Sequence, residues 1–267
     1  MPEPSAMIHS RPTVHVQGAL KSFSGRVVVD VEDLTLGAHP VDGLIGPNGA
    51  GKTTLMRMIM HSLPLDRGKI SLSPGNGSSP EVVLSSKPTY AIASRGVVKT
   101  NQVIQDFEQL TIWDSLLLAA SQARDERAHK IFHERHVWAA YGAEIQEYLD
   151  QLPFDNPLGF AKSAGEKKLL DIIRCLLLRP KLLLLDEPTA GLPAGTRDRV
   201  MALIKKKATE ENLSVVVVEH DLNVIWSLCD YVHFMAEGSV ILQGPPASIR
   251  EHATVVEKYL GKGHVGR

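Results

Sequence analysis

Short aliphatic runs separated by longer helix-like stretches set the pattern of the chain. Leu182 to Leu185 and Val215 to Val218 are four-residue aliphatic blocks bounded by polar residues. Blocks of this kind read as strands buried on both faces of a parallel sheet. A third run, Val41 to Ile45, is interrupted by Asp42 and Gly43 and leads directly into a glycine-rich turn. Between the first two blocks, Ala194 to Glu211 has the pattern of an amphipathic crossover helix. Strands alternating with such helices predict an α/β fold with a mainly parallel sheet.

Two regions break that alternation. In the first forty residues, Val14 to Val16 and Val27 to Val31 are β-branched segments punctuated by Gly18, Gly25 and Gly37. Ile70 to Leu72 and Val82 to Leu84 flank the turn-rich stretch from Pro74 to Pro80. Together these predict an N-terminal antiparallel β layer with a hairpin at Asn76-Gly77. From Leu110 to about Leu152 the pattern turns helical, with Trp113, Leu116, Leu117 and Ala120 at spacings of three and four. That stretch predicts an inserted helical subdomain. No internal repeat is visible.

Composition narrows the class. At 267 residues the chain is long enough for one large domain with an insertion and needs no staples. Lys plus Arg number 29 against 30 Asp plus Glu, a net charge of −1. A nucleic-acid binder normally carries a basic excess, so no nucleic-acid partner is expected. Cys175 and Cys229 stand in apolar surroundings, as reduced cytosolic thiols do. The N-terminus lacks the basic and apolar regions of a signal peptide. The longest apolar runs, such as Leu116 to Ala120, are too short to cross a bilayer. The expectation is a cytoplasmic protein that reaches a membrane only through a partner.

The chemistry starts at the glycine-rich turn. Gly46, Pro47, Asn48, Gly49, Ala50, Gly51, Lys52 and Thr53, with Thr54 next, fit the pattern G-x-x-x-x-G-K-[ST]. The motif requires a preceding strand and a following helix, and Val41 to Ile45 and Thr53 to His61 supply both. Glycines let backbone N–H groups turn inward around phosphate oxygens, and the helix start adds partial positive charge. Lys52 would reach the β and γ phosphates of ATP, and the Thr53 hydroxyl would ligate Mg²⁺.

The second element is Asp186-Glu187, which closes the block Leu182 to Leu185. A carboxylate at the C-terminal end of a buried strand stands where open α/β sheets bind ligands. Asp186 suits a water-mediated contact to Mg²⁺, which keeps several waters. Glu187 is placed to orient or deprotonate the attacking water. A third candidate is Ser163-Ala-Gly-Glu166 ahead of the helical run Lys167 to Leu178. Ser-x-x-Glu there is also a plain capping box.

Taken in order, these motifs resemble the nucleotide-binding subunits of ATP-binding cassette transporters, from Phe23 to the tail Val255 to Gly261. The resemblance implies a phosphate-loop NTPase core with the β layer and helical subdomain described above. It implies one cassette over 1–267, with 10–102 and 180–267 forming the core and β layer and 103–179 the helical subdomain. Phe23 matches the aromatic that stacks on adenine. Gln102 looks like the residue that contacts Mg²⁺ and the water, and His220 like the one that reads the γ phosphate. Ser163, Ala164, Gly165 and Glu166 would hold the γ phosphate of ATP bound to a second ATPase subunit.

The chain also departs from the family pattern. Lys162, Ala164 and Glu166 stand where Leu, Gly and Gln are usual, and Pro193 where Asp is frequent. Ala164 adds a Cβ where backbone must approach phosphate. Within the family, the tail from Ile249 to Gly261 and the passage Ala91 to Thr100 are similar to the branched-chain amino acid and urea import group. That implies transmembrane permease subunits as partners, indirectly a periplasmic solute-binding protein, and a place on the inner face of the cell membrane. The lipopolysaccharide-export ATPase shares much of the tail and remains the alternative, as does a non-transport ATPase acting as an ATP sensor. Three further features are declined. His133 and His136 lack the spacing of a zinc helix, Lys205 to Lys207 reads as a solvated helix face, and Met56, Met58 and Met60 as core.

Overall fold

The computed structural model describes residues 11–75, 80–100, 110–122, 134–152 and 154–260. The chain opens with β1 (Thr13–Phe23), β2 (Arg26–Leu36) and β3 (Val41–Ile45), then α1 (Lys52–Ile59). Next come β4 (Arg67–Ser73), β5 (Val82–Val83), α2 (Thr89–Ala93) and β6 (Val97–Lys99). Three helices follow, α3 (Ile112–Gln122), α4 (Glu134–Gln151) and α5 (Ala164–Leu177). The chain then alternates through β7 (Leu182–Asp186), α6 (Ala194–Glu210), β8 (Ser214–Val218) and α7 (Leu222–Leu228). It closes with β9 (Tyr231–Ala236), β10 (Ser239–Gly244), α8 (Pro246–Arg250) and α9 (Ala253–Leu260).

Two sheets result. One is antiparallel, in the order β2-β1-β4-β5, and is the layer expected from the first forty residues and the Ile70 and Val82 segments. The hairpin turn expected at Asn76-Gly77 lies outside the described residues. The other sheet runs β10-β9-β3-β8-β7-β6, with every pairing from β9 to β6 parallel.

Side-chain alternation explains why its strands are aliphatic throughout. Leu183, Leu185, Val215 and Val217 face one core with the apolar sides of α3, α4 and α5. Leu182, Leu184, Val216 and Val218 face a second core with α1 and the antiparallel sheet. Both faces are covered, so neither can be polar. Met56, Met58 and Met60 are buried in that second core, as expected.

The two interruptions in β3 have separate reasons. Asp42 is fully buried and is satisfied by the Gly37 amide, which donates to Oδ2 at 2.6 Å, and by His39 Nδ1 at 3.0 Å from Oδ1. Gly43 is needed because a Cβ there would stand 2.9 Å from Cys229 Sγ. Burial pushes both the Cys175 and Cys229 thiols well up, so neither is a nucleophile.

One expectation is corrected. Lys207 is not simply a solvated residue of a charged face. Its ammonium lies 4.9 Å from the centre of the Tyr148 ring on α4 and is ion-paired with Glu211. It therefore ties α6 to the helical region, while Lys205 and Lys206 stay exposed. Among the described residues no helix is long and apolar enough to cross a membrane.

Candidate functional site

The sheet topology brings the ends of β3, β8 and β7 side by side, and each end carries a residue singled out in the sequence. The loop after β3 is seated tightly against its neighbours. A Cβ on Gly46 would stand 2.1 Å from the Met235 carbonyl oxygen, and one on Gly51 2.6 Å from that of Val28. Only glycine fits at either place. Gly51 caps α1 in the left-handed region with φ 100° and offers no side-chain cap.

The first bond within α1 runs from the Leu55 amide to the Gly51 carbonyl. The amides of Lys52, Thr53 and Thr54 thus point out of the helix start, where an anion is favoured. Lys52 is buried and its Nζ donates to the carbonyls of Gly46 at 2.7 Å and Pro47 at 3.1 Å. Burial lowers its pKa, while nearby Glu187 and Asp186 act in the opposite direction. Those three groups share one electrostatic neighbourhood.

β7 delivers Asp186 as a buried carboxylate. The Lys99 ammonium donates to Oδ2 at 3.1 Å, and the Asp186 amide donates to the Thr100 hydroxyl at 3.1 Å. Asp186 Oδ1 is buried with no hydrogen-bond partner. A buried carboxylate oxygen normally has one, so this atom fits a hydrated divalent cation that it would help to hold. Hard carboxylate and hydroxyl oxygens are the ligands Mg²⁺ prefers.

Glu187 turns sharply out of the strand. Its φ is 51°, a left-handed conformation that costs a non-glycine residue about 1–2 kcal/mol. Its amide donates to the Val218 carbonyl at 2.8 Å, which fixes the turn to β8. Its Oε1 lies 3.0 Å from His220 Nε2, at the end of the same neighbouring strand. Strain of this kind persists where the surroundings over-determine it.

The segment that follows is held from two sides. Glu219 is buried, and its Oε1 accepts from the Thr189 amide at 2.8 Å and the Thr189 hydroxyl at 2.7 Å. From α5, Lys168 Nζ donates to the Glu187 carbonyl at 2.6 Å and the Ala190 carbonyl at 2.9 Å.

Ser163-Ala-Gly-Glu166 forms the capping box its sequence allows. The Glu166 amide donates to Ser163 Oγ at 3.0 Å, and Glu166 Oε2 accepts from the amides of Ser163 at 3.1 Å and Lys162 at 2.9 Å. These bonds, the one from the Ser163 amide foremost, hold the Glu166 carboxyl below its usual range. The cap lines a cleft of about 580 Å³ with Phe160, Leu192 and Pro193. Pro193 itself caps α6 without a side-chain bond.

The structure thus gathers Lys52, Asp186, Glu187 and His220, with Thr53 and Thr54 in the first turn of α1. Phe23 ends β1, half exposed, with the Lys21 ammonium 5.6 Å from its ring centre. Gln102 lies outside the described residues. Sequence reasoning missed Lys99, Thr100, Lys168 and Glu219. Glu219, directly before His220 at a strand end, was the most accessible of these. The other three are recognisable only by what they touch.

The chain is similar to known proteins over most of its length. The family model described as "ABC transporter" matches residues 30–190. The high-affinity branched-chain amino acid transport ATP-binding protein BraF of Pseudomonas aeruginosa is 30% identical over 260 residues, covering 95% of this chain and 99% of BraF. The lipopolysaccharide export system ATP-binding protein LptB of Escherichia coli is 29% identical over 258 residues, covering 94% and 98%. Among solved structures, an ATP-binding cassette of an ABC transporter in its ADP conformation superposes with a TM-score of 0.74. It is 23% identical and covers 94% of this chain and 99% of that one, a likeness of fold.

Proposed function

The chain belongs to the ABC transporter family as an ATP-hydrolysing subunit that powers a membrane transporter, and we propose that its cargo is a branched-chain amino acid, urea or a related small amide. The observation that carries this reading is the match to BraF, which runs almost the full length of both chains. LptB matches nearly as well and supports lipopolysaccharide export as the second reading.

In this proposal each site residue has a role. The amides of Gly49 to Thr54 and the Lys52 ammonium grip the phosphates of ATP, where charge-assisted bonds are strongest. Bound Mg²⁺ supplies positive charge against the transferring phosphoryl group. Thr53, Asp186 and Gln102 would hold it, and Asp186 Oδ1 has no other partner to satisfy it. Glu187 takes the proton of the attacking water, and His220, 3.0 Å away, keeps its carboxylate aimed. Phe23 stacks on the adenine. Ser163, Ala164, Gly165 and Glu166 cover the γ phosphate held by a second ATPase subunit.

The 10–102 and 180–267 segments act as the core and 103–179 as the helical subdomain that follows the permease. The chain then sits in the cytoplasm, on the inner face of the membrane through that permease, with a periplasmic binding protein delivering cargo.

The test is reconstitution with the permease that co-purifies with this chain. Proteoliposomes given ATP should accumulate labelled leucine or urea in the presence of the matching binding protein. ATPase stimulation by lipopolysaccharide, with neither solute transported, would replace this reading with the second one.

A further inference from the structure

The α5 helix carries two features that face different ways. Its first residues form the Ser163–Glu166 cap, and one turn further Lys168 reaches back to the catalytic strand. Lys168 Nζ donates to the carbonyls of Glu187 at 2.6 Å and Ala190 at 2.9 Å. These two acceptors bracket the turn that holds Glu187 at φ 51°. The turn's own backbone closes it through a long bond, from the Ala190 amide to the Glu187 carbonyl at 3.4 Å. Packing adds a second link, because the Gly165 position lies against Leu192, where a Cβ would be 3.3 Å from Leu192 Cδ2.

We propose that Lys168 is a positioning residue that ties the start of α5 to the backbone of Glu187, so that movement at the cap re-aims the catalytic carboxylate. The proposal rests on the assignment of Ser163–Glu166 to the nucleotide of a second subunit. If that cap meets the partner's nucleotide, Lys168 links one subunit's site to its partner's within a single helix. An ammonium is suited to the task. It donates to two carbonyls at once, and the long stem lets it follow a moving helix without losing both bonds. From the other side the Thr189–Glu219 bonds hold the same turn to β8. Displacing α5 then rotates the turn about that anchor, which swings the Glu187 side chain relative to His220.

The test compares Lys168→Met, which keeps the apolar stem, with Lys168→Arg, which keeps the donors. Lys168→Met should lower kcat about ten- to a hundredfold, the scale of an ångström-sized misplacement. ATP affinity by calorimetry should stay within about twofold, since a residue acting only on the transition state splits kcat from binding. The Hill coefficient for ATP should fall toward one, and the amides of Glu187 and of Thr189 to Leu192 should exchange hydrogen faster than in wild type. Lys168→Arg should recover most of kcat.

Unchanged kcat and exchange in Lys168→Met overturn the proposal. So does a loss of ATP affinity as large as the loss of kcat, because that marks general damage rather than positioning. If wild type shows no ATP-driven pairing, the two-subunit reading fails by itself, and kcat and exchange still decide whether Lys168 positions Glu187.

Discussion

Glu187→Gln should lower ATP turnover by about a hundredfold to ten-thousandfold, the span a positioned general base contributes, while leaving ATP binding nearly intact. The substitution keeps the size and shape of the side chain. A Gln carbonyl oxygen can still accept from His220 Nε2, which lies 3.0 Å from Glu187 Oε1. The left-handed turn at Glu187 is held by backbone bonds to Val218 and Lys168, and neither uses the carboxylate. What disappears is the ability to take a proton from water. Steady-state phosphate release paired with calorimetry measures both quantities. Turnover near the wild-type rate would remove Glu187 from the role of base.

Lys52→Ala should act on binding instead. The ammonium is the one cation that the phosphate loop itself carries, and hydrogen bonds to charged groups contribute about 1.5–3 kcal/mol each. ATP affinity should therefore fall by about ten- to a hundredfold or more. The loop should survive the change. Gly46 against the Met235 carbonyl and Gly51 against that of Val28 still constrain its shape when the lysine is removed. The carbonyls of Gly46 and Pro47 lose a donor, the first at a buried position and the second at a partly buried one. Calorimetric titration with ATP, with a melting curve as control for folding, checks this. Unchanged affinity in a folded variant would show that the loop grips phosphate without Lys52.

The parts of the fold legible in the sequence are those with a single strong local cause. Leu182–Leu185 and Val215–Val218 are aliphatic because both faces of their sheet are covered, and a run of that kind has few other uses. The Ser163–Glu166 cap was legible because its donors and acceptors lie within one turn. β9, by contrast, left no clear trace. It is the last strand of the parallel run, between β3 and the antiparallel edge strand β10, yet carries Tyr231 and His233 among its apolar residues. Its place follows from pairing with a strand almost two hundred residues earlier in the chain. β6 was too short, at three residues, to show any periodicity.

The same division runs through the site. Asp186, Glu187 and His220 stand out at strand ends and Lys52 at a helix start, where phosphate chemistry would use those residue types. Lys99, Lys168 and Glu219 act on them through contacts with distant segments, such as Lys99 with Asp186. Lysine in a mixed-charge helix has no local signature for such a contact. Lys207 was misread for the same reason, since the Tyr148 ring it covers belongs to another helix.

On the proposed function, ATP closes two of these subunits against each other, and hydrolysis reopens them. The groups around Lys52 would then approach the γ phosphate from one side and the Ser163 helix start of a second copy from the other. A ligand that bridges two subunits stabilises their association by mass action. Light scattering on Glu187→Gln, alone and bound to its permease, measures this directly. MgATP should convert the free 29.2 kDa chain to a species of twice that mass and keep a second copy on the permease complex, and adding Ser163→Arg should abolish the pairing in both. Failure of two copies to pair at saturating MgATP in both settings would rule out ATP-driven closure and favour an ATP sensor that drives no transport.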